Sequence, residues 1–89
     1  MAEKAWYVYI LQCRDNSLYT GITDNVQKRL AAHRNGKGAK YTKGRGPLTL
    51  HYLEVCQTKS QALRRELAIK ALRPDKKRVL ISKEPLKED

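Results

Sequence analysis

Residues 6–23 read WYVYILQCRDNSLYTGIT, and this stretch decides how the fold begins. Trp6–Leu11 is rich in aromatic and branched residues, which favour a β-strand, and Leu18–Ile22 has the same character. Turn-forming residues separate the two runs, so we predict an antiparallel β-hairpin. The first strand of this hairpin carries Tyr9 and the second carries Tyr19.

The length of the hairpin loop decides whether these two tyrosines share a face of the sheet, because successive side chains of a strand point to opposite faces. A two-residue loop of Asp15 and Asn16 would point the phenols of Tyr9 and Tyr19 in opposite directions. A three-residue loop, Asp15–Ser17, would point both phenols to the same face. Two-residue loops are the commoner kind, but the sequence leaves both alternatives open.

A first helix follows the hairpin. Thr23 or Asp24 is a suitable N-cap, and Gln27 stands three residues after Asp24, as in a capping box. The helix is expected to run to about Asn35, where Gly36 ends it.

The second half of the chain adds a third strand and two more helices. Leu48–Val55 has strand character, and Thr58 or Ser60 can cap a helix over Gln61–Leu72. A proline then breaks the helix, and Asp75–Ile81 is expected to form a short closing helix.

The element order is therefore β-β-α-(short helix or loop)-β-α-α. It predicts an α+β domain with a three-stranded antiparallel sheet covered by helices. We expect a single domain over residues 5–82, followed by a polar tail over residues 83–89. No apolar run is long enough to cross a membrane, so we expect a cytoplasmic monomer in which Cys13 and Cys56 are free thiols.

The charge of the chain points to a polyanionic partner. Nineteen Lys and Arg residues against nine Asp and Glu residues give a net charge of +10. The stretch Asn25–Leu53 contains no acidic residue, and it includes the glycine-rich loop Gly36–Pro47. Cations near glycines can grip a phosphate backbone. The expected nucleic-acid-binding residues in this loop are Lys37, Lys40, Lys43 and Arg45.

One carboxylate in the helix after the third strand stands among apolar residues. The predicted apolar stripe of this helix consists of Ala62, Leu63, Leu67 and Ile69. Helical geometry places Glu66 inside that stripe. A carboxylate that faces a core needs a cation, hydrogen-bond donors or a metal ion. Lys70, four residues later, is the ordinary structural partner.

The first helix carries an arginine and a histidine on one side. Arg29 and His33 are four residues apart and border the apolar stripe of Val26 and Leu30. An arginine offers a planar fork of donors that suits phosphate. The alternative is a surface arginine beside a half-buried histidine.

Taken together, these residues resemble the GIY-YIG nuclease superfamily. The triplet YVY at residues 7–9 stands where that family has GIY, and YTG at residues 19–21 stands where it has YIG. Arg29 follows ten residues after Tyr19, and Glu66 lies on the helix after the third strand. The resemblance covers about Trp6 to Leu72, and it is greatest to small stand-alone bacterial members and to the N-terminal domain of UvrC.

The resemblance implies a phosphodiesterase that depends on a divalent metal ion. Glu66 would hold a single Mg²⁺ (or Mn²⁺) ion, and Tyr9 or Tyr19 would deprotonate or orient the attacking water. Arg29 would stabilise charge on the scissile phosphate, and His33 would have an accessory role in proton transfer or phosphate binding.

We therefore expect an endonuclease of the repair or recombination type. It would act on DNA in preference to RNA, with structure selectivity or low sequence specificity. The alternative is a basic module that binds DNA or RNA without cleaving it, because the same cations would serve both functions.

Overall fold

The computed structural model of the protein describes residues 5–38, 42–44 and 46–83. It contains three strands and three helices in the predicted α+β order: β1 (Trp6–Gln12), β2 (Leu18–Thr23), α1 (Val26–Arg34), β3 (Thr49–Cys56), α2 (Lys59–Lys70) and α3 (Pro74–Lys83). The strands form one antiparallel sheet in the order β2-β1-β3. None of the helices in these ranges is long and apolar enough to span a bilayer.

The β1–β2 hairpin closes through a three-residue loop, residues 14–16. The amide of Cys13 donates to the carbonyl of Ser17 at 2.9 Å, and the amide of Asn16 donates to the carbonyl of Cys13 at 2.9 Å. Asn16 has a φ of 68°, a left-handed conformation that asparagine tolerates better than most residues. The loop has the length of the three-residue alternative, but it begins one residue earlier than Asp15–Ser17.

The register of the hairpin places both tyrosines on one face. Tyr9 pairs with Gly21, and Leu11 pairs with Tyr19. Because alternate residues share a face, the phenols of Tyr9 and Tyr19 point the same way, and their ring centroids are 6.4 Å apart. The two-residue loop, which would have pointed the two phenols to opposite faces of the sheet, is therefore wrong.

Each face of the sheet has its own core. On the first face Val8, Ile10, Tyr52 and Cys56 are buried together with residues of α2 and α3, which are Ala62, Ile69, Leu80 and Ile81. On the second face the buried residues are Tyr9, Leu11, Cys13 and Leu48, and Leu30 of α1 packs against them. Cys13 and Cys56 are free and belong to different cores.

The cap of α1 lies later than predicted. The side chain of Asn25 accepts a hydrogen bond from the amide of Lys28, so Asn25 is the N-cap in place of Thr23 or Asp24. The hydroxyl of Thr23 is used differently, because it donates to the carbonyl of Asn25 at 3.1 Å and accepts from the amide of Asn25 at 3.0 Å. Gly36, with a φ of 75°, follows the helix as predicted.

The cap of α2 is Thr58, the first of the two predicted candidates. Its side chain accepts a hydrogen bond from the amide of Gln61. The helix therefore begins at Lys59, before the predicted Gln61, and Ser60 lies inside it.

The buried face of α2 differs from the predicted stripe. Ala62 and Ile69 are fully buried, but Leu63 and Leu67 are 42% and 67% exposed. The prediction that these two leucines face the core is wrong, because the buried face is centred on the line from Ala62 to Ile69. Glu66 consequently lies at the border of the buried face rather than within it.

The hydroxyl of Thr20 is buried, and it has no hydrogen-bond partner within the described ranges. A buried polar group without a partner costs about 1–3 kcal/mol. We therefore expect Thr20→Val, which keeps the shape of the side chain, to raise the free energy of unfolding by about 1 kcal/mol. Urea denaturation followed by circular dichroism measures this change.

Thr23 provides a matched control on the same strand, because its buried hydroxyl makes two hydrogen bonds. Thr23→Val is expected to lower the free energy of unfolding by about 1 kcal/mol. Equal destabilisation by Thr20→Val and Thr23→Val would contradict the assignment of Thr20 as an unsatisfied group.

Candidate active site

The candidate site begins with a contact between the central strand and α1. The phenol oxygen of Tyr9 lies 2.8 Å from Nε2 of His33. Both residues are almost completely buried, with 1% and 2% of their surfaces exposed. The ring of Tyr19 also lies against His33, with centroids 5.3 Å apart. The hairpin and the first helix thus bring three of the predicted site residues into one cluster.

Gly21, the last residue of the YTG triplet, makes room for this cluster. A Cβ atom at Gly21 would lie 2.6 Å from the phenol oxygen of Tyr9 and 3.1 Å from Cε2 of Tyr19. A side chain at this position would displace both rings. The glycine is therefore required by the close approach of the Tyr9 phenol to the backbone of β2.

Arg29 reaches the same cluster from one turn earlier in α1. Its Nη2 donates to the carbonyl oxygen of Gly38 at 3.2 Å. The phenols of Tyr9 and Tyr19 act on its guanidinium, and the influence of Tyr9 is the main reason that the pKa of Arg29 is raised. The guanidinium is thus attached to the start of the glycine-rich loop and lies near the two phenols.

Burial is the main influence on the protonation states of Tyr9 and His33. Burial raises the pKa of Tyr9 above its usual value of 10.0, although the influence of Arg29 acts in the opposite direction. Burial also lowers the pKa of His33 below 6.5, and the positive charge of Arg29 lowers it further. Near neutral pH, Tyr9 is therefore a protonated phenol and His33 is a neutral imidazole.

Glu66 approaches the cluster from α2. Its negative charge contributes to the raised pKa of Tyr9, which places the carboxylate within electrostatic range of the phenol. Glu66 also forms the predicted ion pair with Lys70, whose Nζ lies 3.2 Å from Oε2 of the carboxylate. The side chain of Lys70 is 48% exposed and that of Glu66 is 15% exposed, so the lysine end of this ion pair is open to solvent.

The donor set of the site suits a weakly held, hard cation. The described part of the chain contains no group of three or more His, Cys, Asp and Glu side chains that could hold a metal ion. Both nitrogens of His33 are already engaged in hydrogen bonds. The carboxylate of Glu66 could still serve as a ligand, and a single carboxylate fits Mg²⁺, an ion that usually keeps several waters and completes its shell with substrate phosphate.

Two residues of the glycine-rich loop contact His33, and sequence analysis did not select either of them. Oγ1 of Thr42 lies 2.8 Å from Nδ1 of His33, and Thr42 is 1% exposed. A Cβ atom at Gly38 would lie 2.6 Å from Cγ of His33, so the backbone of Gly38 packs directly on the imidazole. A threonine among lysines and glycines carries no local signal of such a contact.

The predicted nucleic-acid-binding residues are only partly described. Lys37 and Lys43 are exposed, and the loop that carries them is attached to the site through Gly38 and Thr42. Lys40 and Arg45 lie outside the described residues, so their predicted role remains a prediction.

A second polar cluster lies on the other face of the sheet. Nε of Arg65 donates to both carboxylate oxygens of Glu54 at 3.0 Å, and the phenol of Tyr52 donates to Oε1 at 2.6 Å. Burial, together with the hydrogen bond to Glu54, raises the pKa of Tyr52 to about 12. These groups satisfy one another, and they attach α2 to β3.

Comparison with known proteins places the chain among relatives of the same size. The family model of the GIY-YIG catalytic domain matches residues 5–78. A UPF0213 protein of Clostridium perfringens is 54% identical over 83 residues, which cover 93% of this chain and 89% of the relative. A UPF0213 protein of Staphylococcus haemolyticus is 55% identical over 75 residues, which cover 84% of this chain and 92% of the relative.

Two solved structures share the fold. The solution NMR structure of a UPF0213 protein from Bacillus halodurans matches with a TM-score of 0.62 and 46% identity, covering 91% of this chain and 86% of that one. The solution NMR structure of a protein from E. faecalis matches with a TM-score of 0.62 and 34% identity, covering 97% and 93%. The chain therefore belongs to the GIY-YIG catalytic-domain family, a nuclease superfamily, and its relatives in that family are small UPF0213 proteins.

Proposed function

We propose that the protein is a cytoplasmic, monomeric endonuclease that uses a divalent metal ion to hydrolyse phosphodiester bonds in DNA. It would select substrates by structure or act with low sequence specificity, as expected of a repair or recombination enzyme. One observation carries this proposal: the phenol of Tyr9 lies 2.8 Å from Nε2 of His33, the ring of Tyr19 packs against both, and the charges of Arg29 and Glu66 both act on Tyr9.

Arg29 is the proposed phosphate-binding group. A guanidinium has five N–H donors, and the hydrogen bond to the carbonyl of Gly38 leaves donors available for a phosphate oxygen. This hydrogen bond also helps to fix the orientation of the side chain before substrate binds. A preoriented cation is most effective where negative charge develops on the scissile phosphate.

The two tyrosines have different proposed roles. Tyr9 is 1% exposed and has a raised pKa, so it is poorly placed to contact water and poorly suited to accept its proton. Tyr19 is only half-buried. We therefore assign Tyr19 to the attacking water and Tyr9 to the positioning of Arg29 and His33.

Glu66 is the proposed ligand of the divalent ion, Mg²⁺ or Mn²⁺. When bound, the ion supplies Lewis-acid stabilisation of the charge on the phosphate. The carboxylate of Glu66 would hold the ion, and in the structure Lys70 neutralises that carboxylate. Lys37 and Lys43, together with Lys40 and Arg45, would contact the phosphate backbone on either side of the scissile bond.

A second candidate function is a basic module that binds DNA or RNA without cleaving it. The ion pair between Lys70 and Glu66 favours this reading, because a neutralised carboxylate in a basic protein no longer repels phosphate. Incubation with supercoiled plasmid and branched oligonucleotides in Mg²⁺, Mn²⁺ or EDTA separates the two functions. Metal-dependent products support the nuclease, whereas shifted but intact substrates support the binding module.

The most direct test of the nuclease is Glu66→Gln, which removes the charge and keeps the shape of the side chain. We expect cleavage of supercoiled plasmid in Mg²⁺ to fall by about 100-fold or more, with unchanged binding. Lys70→Gln is the matched control, because it removes the partner of Glu66 but not the carboxylate, and it is expected to keep cleavage. Equal cleavage by Glu66→Gln and the parent protein would remove Glu66 from the mechanism.

The proposed phosphate contacts of the loop predict a change in salt dependence. Each phosphate contact contributes about 0.9 to the slope of log K against log salt concentration for duplex DNA. The double substitution of Lys37 and Lys43 by alanine is therefore expected to reduce this slope by about 2, measured by fluorescence anisotropy. The control replaces Lys76 and Lys77 of α3 by alanine, and a larger effect of that control would place the DNA on α3 instead.

The neutral state of His33 predicts how stability depends on pH. Because the pKa of His33 is lowered in the folded protein, the unfolded chain binds a proton at a higher pH than the folded protein does. The stability from this histidine is fully present above the unfolded pKa of about 6.5, and it is lost as pH falls below that value.

We therefore expect the melting temperature to fall between about pH 7.5 and 5.5, a window above the usual carboxylate pKa values. His33→Gln is expected to flatten this dependence. His51→Gln, which leaves the buried histidine in place, is the control and is expected to keep it. A parent protein whose melting temperature is constant over this window would contradict the neutral assignment of His33.

A further inference from the structure

A cavity of about 330 Å³ lies where the end of β2 turns into α1. Its volume is in the range of sites that hold small molecules. Apolar, cationic and acidic side chains line it together, namely Trp6, Ile22, Ala32, Lys28, Arg29 and Asp24. Because Arg29 is also a residue of the candidate active site, the cavity adjoins that site.

Trp6 gives the cavity an aromatic surface. It is half-buried, and it is the single tryptophan of the chain. Nζ of Lys59, a residue that does not line the cavity, lies 5.4 Å from the centroid of the indole ring. This cation–π contact helps to hold the ring in place. An indole held in this way is a stacking surface for an unpaired nucleobase.

The charged residues of the cavity suit the rest of a nucleotide. The guanidinium of Arg29 donates to the carbonyl of Gly38 and has further donors for a phosphate oxygen, while Lys28 is exposed. Asp24 also lines the cavity, and a carboxylate repels phosphate but accepts hydrogen bonds from the amino groups of bases. The cavity therefore suits a base whose phosphate lies beside Lys28 and Arg29.

We propose that the cavity binds the base of an unpaired nucleotide next to the scissile phosphate: the base stacks on Trp6, and Lys28 and Arg29 bind the phosphate of that nucleotide. The position next to the scissile bond rests on the proposed function. Binding of the base itself requires no cleavage.

This site selects DNA by its structure. A base inside a duplex must leave its stack and its partner before it can enter the cavity, whereas a base that is already unpaired avoids most of that free-energy cost. The preferred substrates are therefore duplexes with a bulged nucleotide, a flap or a single-stranded junction. Selectivity of this kind needs no contact that reads the sequence, because every base has a face that can stack.

The first test uses the fluorescence of Trp6, measured in EDTA so that no metal-dependent cleavage occurs. A base stacked on an indole ring quenches its fluorescence, and no second tryptophan contributes to the signal. The probes are two DNA duplexes of the same sequence, of which one carries a single extra adenine in one strand. At saturation, we expect the duplex with the unpaired adenine to quench Trp6 at least about twofold more strongly than the fully paired duplex. Equal quenching by the two duplexes, or no quenching by either, overturns the proposal.

The second test narrows the cavity without altering its ring or its cations. Ala32 lines the cavity, whereas the neighbouring Ala31 is exposed and does not, so Ala32→Leu and Ala31→Leu form a matched pair on α1. By fluorescence anisotropy in EDTA, we expect the parent protein to bind the duplex with the unpaired adenine about 10-fold more tightly than the paired duplex. Ala32→Leu is expected to reduce this preference to below about 3-fold with unchanged affinity for the paired duplex, and Ala31→Leu is expected to keep it.

Two substitutions of Trp6 test the stacking itself. Trp6→Phe keeps an aromatic ring and is expected to retain most of the preference, whereas Trp6→Ala is expected to lose it, with folding checked by circular dichroism. A folded Trp6→Ala or Ala32→Leu with the parental preference overturns the proposal. An Ala31→Leu that loses as much preference as Ala32→Leu overturns it as well.

The nuclease assignment and this inference fail separately. Cleavage in Mg²⁺ by a protein that has no preference for the unpaired adenine keeps the nuclease and overturns the inference. A preference that Ala32→Leu removes, in a protein that cleaves no DNA, keeps the cavity as a base-binding site and overturns the nuclease.

Discussion

The interaction on which the site depends is the buried hydrogen bond between the phenol of Tyr9 and Nε2 of His33, which are 2.8 Å apart. Nδ1 of the same imidazole is also engaged, because it lies 2.8 Å from the hydroxyl of Thr42. This chain of hydrogen bonds joins the central strand, the first helix and the glycine-rich loop. Its buried members are all paired, so the site can exclude water without leaving polar groups unsatisfied.

The burial of Tyr9 and Gly21 explains why the two halves of the hairpin must keep this register. A shift of one residue would turn Tyr9 to the face that α2 and α3 cover. The phenol also needs the bare backbone of Gly21, since any Cβ there would lie within 3 Å of its oxygen. Asn16 adopts the left-handed conformation in the three-residue loop. The length of this loop sets the register of the hairpin, and the register in turn places Tyr9 and Tyr19 on the same face.

Much of the fold follows from local patterns, whereas the details of the site follow from contacts that are distant in sequence. Strand alternation, Thr58 as the cap of α2 and Gly36 as the end of α1 act within a few residues, and these predictions are confirmed. The helical projection of α2 does not show where the sheet contacts the helix, which is why the predicted burial of Leu63 and Leu67 is wrong. Thr42 contacts a histidine nine residues earlier, and no local pattern predicts that.

The position of Glu66 reconciles its ion pair with its proposed role. A carboxylate at the centre of a buried face would be fixed to its lysine, because separating a buried pair leaves an uncompensated charge. Glu66 lies instead at the border of that face, and Lys70 is 48% exposed. The lysine end of the pair is open to solvent, so separating the pair to free the carboxylate for the proposed divalent ion would cost less than it would at the centre of the buried face. The exposure of Leu63 and Leu67 has the same origin, because the buried face of α2 is centred on the line from Ala62 to Ile69 and leaves Glu66 at its border.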